Sequence, residues 1–140
     1  MAELQYDGGC LCGDIRYRIK GVVKYRCNCH CQSCRRASGA PYVAWGTIDL
    51  DDLEFTSGEL AFVQSSPGVE RGFCGSCGAS VTFTQTRRPG EIDFTLATLD
   101  DPGRLAPQAH IWLRDKLPWV QIGDDLPRYQ GLVNTDDPTS

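Results

Sequence analysis

The chain has 140 residues, of which 41% are hydrophobic and 23% are charged, and its formal net charge is −4. This size and composition are typical of a single globular domain, and they argue against a disordered or a fibrous protein. Lys and Arg number 14 against 18 Asp and Glu, and they form no basic run. That balance excludes a nucleic acid as the expected partner, because such binding rests on basic residues that neutralise phosphates.

The N-terminal segment, MAELQYDGGCLCG, lacks the basic and the apolar regions that together define a signal peptide. No apolar run approaches the roughly 20 residues that a membrane-spanning helix requires. We therefore expect a cytoplasmic protein without a membrane partner. Because the cytoplasm is reducing, the eight cysteines are expected to be metal ligands rather than a disulfide framework.

Most of the sequence alternates apolar and polar residues with a period of two, which is typical of β-strands. In GDIRYRIKG, Ile15, Tyr17 and Ile19 share one face, and ASVTFTQT and EIDFTLAT repeat the pattern. Further strands are predicted in APYVAWGTI, LEFTS, LAFVQS, VERGFC, HIWL and WVQI. One helix of a turn or two is predicted from Gln32 to Ser38. The sequence therefore predicts an all-β fold of several short antiparallel strands, in one domain over residues 1–133 with a disordered tail over 134–140.

Two cysteines in the segment CGSCG, Cys74 and Cys77, have the spacing and the flanking glycines of a zinc knuckle. A redox dithiol is the alternative, but such a motif normally opens a helix, whereas ASVTFTQT follows here and alternates like a strand. Two thiolates cannot complete a tetrahedron, and Cys10 and Cys12 are the natural additional donors. In an extended segment these two face the same side about 6.6 Å apart. The alternative for them is that they are simply small buried residues.

The segment CNCHCQSC contains the other four cysteines, and its geometry limits how they can share one ion. If residues 27 to 31 are extended, Cys27 and Cys31 lie about 13 Å apart and cannot bind the same zinc. Cys31 and Cys34 form a second knuckle, and Cys29 is the third ligand within reach. Cys27 is out of range unless the strand bends, and His30 points to the opposite face. Three thiolates leave one exchangeable position, which is the mark of a reactive zinc site.

The segments GGCLCGDIRYRI, CHCQSCRRASGAPYVAW and RGFCGSCGASVTF, followed by TLATLDDP, HIW and PW, resemble the glutathione-dependent formaldehyde-activating enzyme family, the GFA (CENP-V/GFA) family. The resemblance extends from Gly8 to Pro127. It implies a GFA-type domain with an Mss4-like, all-β fold organised around two Zn²⁺ ions. The implied structural ligands are Cys10, Cys12, Cys74 and Cys77, and the implied catalytic ligands are Cys29, Cys31 and Cys34.

The resemblance also implies an activity. It is the joining of glutathione and formaldehyde into S-hydroxymethylglutathione, a carbon–sulfur lyase reaction written in reverse. The implied partners are a small-molecule thiol such as glutathione and a small aldehyde. Two alternatives stay open at this point: a glutathione-binding or other thiol-binding carrier without turnover, and a structural zinc module that binds a protein partner. The open site of Cys29, Cys31 and Cys34 favours the enzyme and the thiol carrier over the structural module. The residues do not separate the enzyme from the carrier, since no independent acid–base pair is evident in the sequence.

Several residues near these motifs have two interpretations. Arg35 and Arg36 follow the third ligand, where they would offset an anionic zinc centre or meet a glutathione carboxylate; a solvated pair at a helix start is the simpler interpretation. His30 is either a proton shuttle or a packed, hydrogen-bonded side chain. Cys27 is either a spare buried thiol or a fourth ligand that would silence the site.

The C-terminal part of the resemblance contains three further residues, His110, Trp112 and Trp119. Packing in the core or at its rim is the preferred interpretation for all three.

Overall fold

The computed structural model of the chain describes residues 4–132 and the backbone of residues 138–139. Of the predicted tail, Pro138–Thr139 form a short strand, and the remainder lies outside the described residues. In chain order the strands are Gln5–Gly9 (β1), Arg16–Lys20 (β2), Tyr25–Cys29 (β3), Val43–Asp49 (β4), Leu53–Ser57 (β5), Ala61–Ser66 (β6), Val69–Phe73 (β7), Ser80–Gln85 (β8), Glu91–Thr95 (β9), His110–Ile111 (β10), Arg128–Tyr129 (β11) and Pro138–Thr139 (β12).

The α-helix of the described residues, Gln32–Ser38 (α1), coincides with the predicted helical segment. It begins after Cys31, whose sulfur accepts a hydrogen bond from the backbone N–H of Cys34 in the manner of an N-cap. It ends at Gly39, which has the left-handed conformation (φ 69°) of a common helix stop. Across residues 4–132 and 138–139, no helix combines the length and the apolar character that a membrane span needs.

Within the described residues, the strands form two sheets. The smaller sheet has the order β1-β2-β5 and is antiparallel, and the larger has the order β12-β11-β10-β3-β4-β9-β8-β7-β6. The prediction of an all-β fold is confirmed. The strands are not all antiparallel, however, because β10 pairs in parallel with both β3 and β11. A long stretch of chain separates β3 from β10, so no hairpin imposes an antiparallel direction on this pair.

Three predicted strands are shorter than expected or absent. EIDFTLAT is a strand only over Glu91–Thr95, and Leu96–Thr98 form a 3₁₀ turn. HIWL is a strand only at His110–Ile111, because Trp112 adopts a left-handed conformation (φ 58°) that ends it. WVQI forms no strand, since Pro118 and Trp119 lie in a turn and Trp119 has 68% of its surface exposed.

The main core lies between the two sheets, where alternate residues of facing strands meet. Tyr17 and Ile19 of β2 pack with Ile92 and Phe94 of β9, and the rings of Tyr17 and Phe94 meet edge to face at 6.2 Å. The opposite face of the larger sheet supports a second apolar cluster, which includes Trp45 of β4 and the cysteines at the end of β3. Helix α1 packs on this second face, which therefore positions the candidate site.

Candidate metal centres

Four cysteines, Cys10, Cys12, Cys74 and Cys77, form what we call the four-cysteine site. Cys10 follows β1 and Cys12 lies in the bend that leads to β2, whereas Cys74 and Cys77 lie in the turn between β7 and β8. Their sulfur atoms all lie within 4.8 Å of one another. The structure thus brings together the four residues that the sequence grouped, and it joins positions 62 residues apart in the chain.

The spacing of these sulfurs fits a tetrahedral zinc ion. The Cys12 sulfur lies 3.6 Å from that of Cys10 and 3.7 Å from that of Cys74, and four thiolates bound to one zinc lie about 3.8 Å apart. The backbone N–H groups of Ile15 and Cys77 point at the sulfurs of Cys10 and Cys74, at 3.2 and 3.4 Å. Because four thiolates fill a tetrahedron, this donor set suits a structural ion.

The local path of the chain at this site differs from the expectation. Residues 11–14 bend rather than extend, with Gly13 at a positive φ of 88°, and the sulfurs of Cys10 and Cys12 lie 3.6 Å apart. Cys12 is exposed and Cys10 is only half-buried. The alternative that both are simply buried residues therefore does not hold.

Three further cysteines, Cys29, Cys31 and Cys34, form what we call the three-cysteine site, with sulfur atoms that also lie within 4.8 Å of one another. Cys29 ends β3, Cys31 caps α1 and Cys34 lies in the first turn of that helix. A strand end and a helix start therefore deliver all three sulfurs from one short segment. Three soft donors suit a zinc ion and leave one position for an exogenous ligand.

Cys27 lies outside this group. Strand β3 stays extended through Cys29, so Cys27 lies two residues further back along the strand. Its sulfur is therefore not among the three that lie close together, as the spacing predicted. Its side chain is only 7% exposed, and burial raises the pKa of its thiol to about 12. Of the two interpretations of Cys27, the structure corresponds to the spare buried thiol.

Arg71 of β7 is a residue that the sequence analysis did not single out. It is 6% exposed, and its two terminal nitrogens lie 3.8 and 3.9 Å from the sulfur of Cys34. Its Nε–H donates to the hydroxyl of Ser65 at 3.1 Å, and its guanidinium lies 4.9 Å from the centre of the Phe83 ring. In an alternating strand such as VERGFC, a charged residue normally faces solvent, so local pattern offered no signal for this burial.

The three sulfurs do not share negative charge equally. The pKa of Cys34 is lowered, first because the thiols of Cys29 and Cys31 hydrogen-bond to its anion, and further because Arg71 lies beside it. The pKa of Cys29 is raised by the same neighbouring sulfurs and by burial. The neighbouring thiols and Arg71 thus both favour the thiolate form of Cys34.

The three-cysteine site opens onto a cavity of about 400 Å³. Trp45, Phe83 and Trp112 supply much of its apolar wall, and Gln85 and Arg87 add polar groups. A larger groove, of about 640 Å³, lies between the open edges of the two sheets and is lined by no cysteine. We take the smaller cavity as the candidate site, because an active site combines an apolar concavity with a few convergent reactive groups, and the larger groove lacks the cysteines.

The cavity wall also contains a carboxyl group, that of Asp93. Its side chain is 13% exposed, forms an ion pair with Arg88 at 2.7 Å and accepts a hydrogen bond from Thr47 at 2.7 Å. Burial raises the pKa of Asp93, although Arg88 and Thr47 act to lower it. In strand β9 Asp93 faces the opposite way from Ile92 and Phe94. The second apolar cluster covers that side of the larger sheet, so the side chain of Asp93 meets a cavity rather than bulk water.

His30 does not line the cavity. It is fully buried, its Nε2 lies 3.0 Å from Nδ1 of His110, and Nε2 of His110 lies 2.9 Å from the carboxylate of Asp124. The network assigns N–H donation from His30 to His110 and from His110 to Asp124. Burial lowers the pKa of His30 to about 4, so the ring is neutral near pH 7. These contacts correspond to the packed, hydrogen-bonded interpretation rather than to a proton shuttle.

The two arginines after Cys34, for which a solvated pair at a helix start was the simpler interpretation, lie outside the cavity wall. Arg36 is exposed, and neither Arg35 nor Arg36 lines the cavity of the three-cysteine site. The cation that contacts Cys34 is instead Arg71, which is distant in sequence. Of the two tryptophans of the C-terminal segments, Trp112 lines the cavity and Trp119 does not.

These features define a class of protein: an all-β domain with two cysteine groups, each able to hold a metal ion, and a cavity beside one of them. The model of the glutathione-dependent formaldehyde-activating enzyme family matches residues 5–115. A Halomonas elongata protein, provisionally named a glutathione-dependent formaldehyde-activating enzyme, is 33% identical over 126 residues, which cover 83% of this chain and 80% of that protein. The chain therefore belongs to the glutathione-dependent formaldehyde-activating enzyme family.

The fold has a counterpart among solved structures. A crystal structure of a Rhodobacter sphaeroides protein is similar with a TM-score of 0.57 and 25% sequence identity. The similarity covers 69% of this chain and 88% of that one. The shared part is thus most of the smaller protein.

Proposed function

We propose that both cysteine groups bind zinc and that the three-cysteine site joins glutathione and formaldehyde into S-hydroxymethylglutathione, a carbon–sulfur lyase reaction written in reverse. The observation that supports this most is the placement of Cys29, Cys31 and Cys34 beside a cavity in a member of this family. We place the activity in the cytoplasm, where reducing conditions keep the eight cysteines as free thiols.

The reaction balances without a redox partner. The thiol sulfur forms a bond to the carbonyl carbon of formaldehyde, the electron pair of the C=O π bond moves to oxygen, and the thiol proton ends on that oxygen. When bound, zinc supplies a position that accepts a thiol sulfur and lowers its pKa toward neutrality. The four-cysteine site takes no part in this chemistry and holds the fold.

The residues of the cavity divide the remaining tasks. The aromatic wall of Trp45 and Phe83 limits the access of water and orients the reactants, which accounts for much of the rate gain in a two-reactant addition. Arg71 offsets the negative charge of the three thiolates. Asp93 and Asp115 both line the cavity, and Asp93, with its raised pKa, is the one that we assign to proton exchange with the reactants.

The test is a turnover assay with formaldehyde and glutathione, corrected for the spontaneous reaction of the two. We expect the wild-type protein to raise the rate above the spontaneous one and the Cys34→Ser variant to remove that excess while losing one of two bound zinc ions. If Cys34→Ser kept two zinc ions and the full rate, the assignment of the site would be wrong.

Replacing zinc by cobalt and titrating with glutathione distinguishes the rival functions. A glutathione-dependent shift of the thiolate–cobalt bands without excess turnover would identify a thiol carrier. Neither a shift nor turnover would leave the structural module that binds a protein partner.

A further inference from the structure

Among the residues that the structure describes, Arg71 is a buried cation that forms no ion pair with a carboxylate. None of the ion pairs among the described residues involves it, although its residue is only 6% exposed. A charge removed from water is expensive unless an opposite charge or hydrogen bonds replace the solvent. The terminal nitrogens of Arg71 instead meet the sulfur of Cys34, which both approach within 4 Å.

The orientation of the guanidinium is fixed from two other directions. Ser65 of the edge strand β6 accepts from its Nε–H at 3.1 Å, and the Phe83 ring lies 4.9 Å from its centre. These contacts occupy the Nε side and one planar face, and they leave the two terminal nitrogens toward Cys34. Arg71 therefore points at the sulfur of Cys34, and not outward to where the carboxylate of a bound molecule would lie.

The charge of the site explains why such a residue is needed. A zinc dication with three thiolates has a net charge of −1, and a fourth, exogenous thiolate makes it −2. Concentrating two negative charges in a buried site is unfavourable because the low local dielectric strengthens their repulsion. One guanidinium in contact with a ligand sulfur brings the assembly back to −1.

We propose that Arg71 is a positioning residue that donates to the sulfur of Cys34 and offsets the negative charge of the ligand set, and that it thereby sets the affinity of the three-cysteine site for its metal ion and for an exogenous thiolate. The part of this inference that concerns thiol binding rests on the proposed function. It predicts that Arg71 supports every thiol alike, whatever groups the rest of that molecule bears.

The experiment compares two thiols on cobalt-loaded protein. Reduced glutathione bears two carboxylates and 2-mercaptoethanol bears none, so a carboxylate anchor and a sulfur anchor give different results. In Arg71→Met we expect half-saturation of the spectral shift to need roughly ten to a hundred times more of both thiols, the range typical of a lost charge-assisted hydrogen bond. Unchanged half-saturation, or a loss confined to glutathione, would overturn the proposal.

Two variants serve as controls for charge and geometry. Arg104→Gln removes the same unit of charge from a side chain that packs on Tyr6 of the small sheet, and we expect no change in either titration. Ser65→Ala leaves the charge of Arg71 in place but releases its Nε–H, and we expect a weaker effect in the same direction. An effect of Arg104→Gln as large as that of Arg71→Met would reduce the result to net charge and contradict the proposal.

Folding and thiol binding are measured separately. The four-cysteine site is an internal control, because a folded Arg71→Met protein keeps its cobalt bands there. If the wild-type protein showed no thiol response, the proposed function would fail, yet Arg71 would still be tested by competition with a chelator. We expect one of the two cobalt ions to be lost at roughly tenfold lower chelator concentration in Arg71→Met, the size of effect seen when a neighbour of a metal ligand is removed. Equal retention of both ions would refute the proposal.

Discussion

Cys27 and Cys29 lie two positions apart on the same face of β3, but only Cys29 belongs to the three-cysteine site. The difference arises because the chain turns into α1 immediately after Cys29, so Cys31 and Cys34 fold back toward it and away from Cys27. A thiol left in the apolar cluster beside Trp45 is protonated, since burial raises its pKa to about 12. Geometry and charge thus give two cysteines of one motif different chemistry.

We expect the Cys27→Ala variant to keep two bound metal ions and to lose only about 1 kcal/mol of stability, as for a small buried group. Metal stoichiometry and thermal unfolding of the zinc-loaded protein check this. Cys34→Ala is the matched control, because it also removes a buried cysteine but is expected to lose one ion. One ion in Cys27→Ala would make Cys27 a ligand.

At this scale the sequence predicted the sulfur groups and not their surroundings. Regular spacing in CHCQSC determines the three-cysteine group, whereas the four-cysteine group followed from the number of thiolates that a tetrahedral ion needs. Arg71 and Asp93 were not predicted, because Arg71 meets Cys34 across 37 residues of sequence and Asp93 lies on β9, which pairs with the distant strand β4. Three thiolates around one zinc imply a nearby cation, but the spacing of the cysteines does not show which residue supplies it.

At the scale of elements, β10 is the unexpected member of the larger sheet. It has only two residues, pairs in parallel with β3, and places His110 against His30, between two cysteine ligands. Trp112 ends it in a left-handed conformation that a non-glycine residue adopts at a cost of about 1 kcal/mol. The strand, the histidine pair and Asp124 together brace the segment that contains Cys29 and Cys31 from the side opposite the cavity.

Asp124→Asn tests this brace. The hydrogen bond from His110 lowers the pKa of Asp124, so its contribution is present above the unfolded-state pKa of about 4 and disappears as the pH falls through the lower folded-state value. We expect a loss of less than about 1 kcal/mol at pH 7, because the carboxylate is 44% exposed and solvent screens it. The loss should vanish in strong acid, and cobalt at the three-cysteine site should dissociate faster.

Chemical unfolding at several pH values and chelator kinetics provide the two measurements. Asp125→Asn changes the exposed neighbour and should alter neither quantity. A larger stability difference in acid than at pH 7 would contradict the assignment of the ionised carboxylate.

The elements themselves were largely predictable. Helix α1 and strands such as β5 follow the predicted segments because local period and capping determine them. The failures are HIWL and WVQI, where the alternating pattern is real but a left-handed Trp112 and a turn at Trp119 interrupt the backbone. Parallel pairing of β10 is a property of the tertiary fold, and no local pattern encodes it.

At the scale of the whole molecule, the two sites differ in what they connect. The four-cysteine site ties the end of β1, in the small sheet, to the turn between β7 and β8 of the larger one. The three-cysteine site connects only neighbouring residues. An ion in the first is therefore a cross-link between the two sheets, whereas an ion in the second adds little to the fold.

A pair of half-buried cysteines, one from each site, tests this difference. We expect Cys77→Ser to lower the melting temperature by more than about 10 °C, since structural zinc contributes several kcal/mol of folding free energy. Cys31→Ser should lose one ion with a much smaller shift. Equal shifts, measured by calorimetry on zinc-loaded proteins, would mean that both ions support the fold to the same extent.

The different spacing of the two ligand sets has a consequence for how the protein acquires its metals during synthesis. Cys29, Cys31 and Cys34 leave the ribosome almost together, so a nascent chain can chelate an ion there before any sheet exists. The other set must wait for Cys77, and closing a loop of 62 residues instead of five adds about 2 kcal/mol of entropic cost. If both sites bind metal, loading would be ordered along the chain: the three-cysteine site would fill first, and an ion in the four-cysteine site would arrive with folding itself.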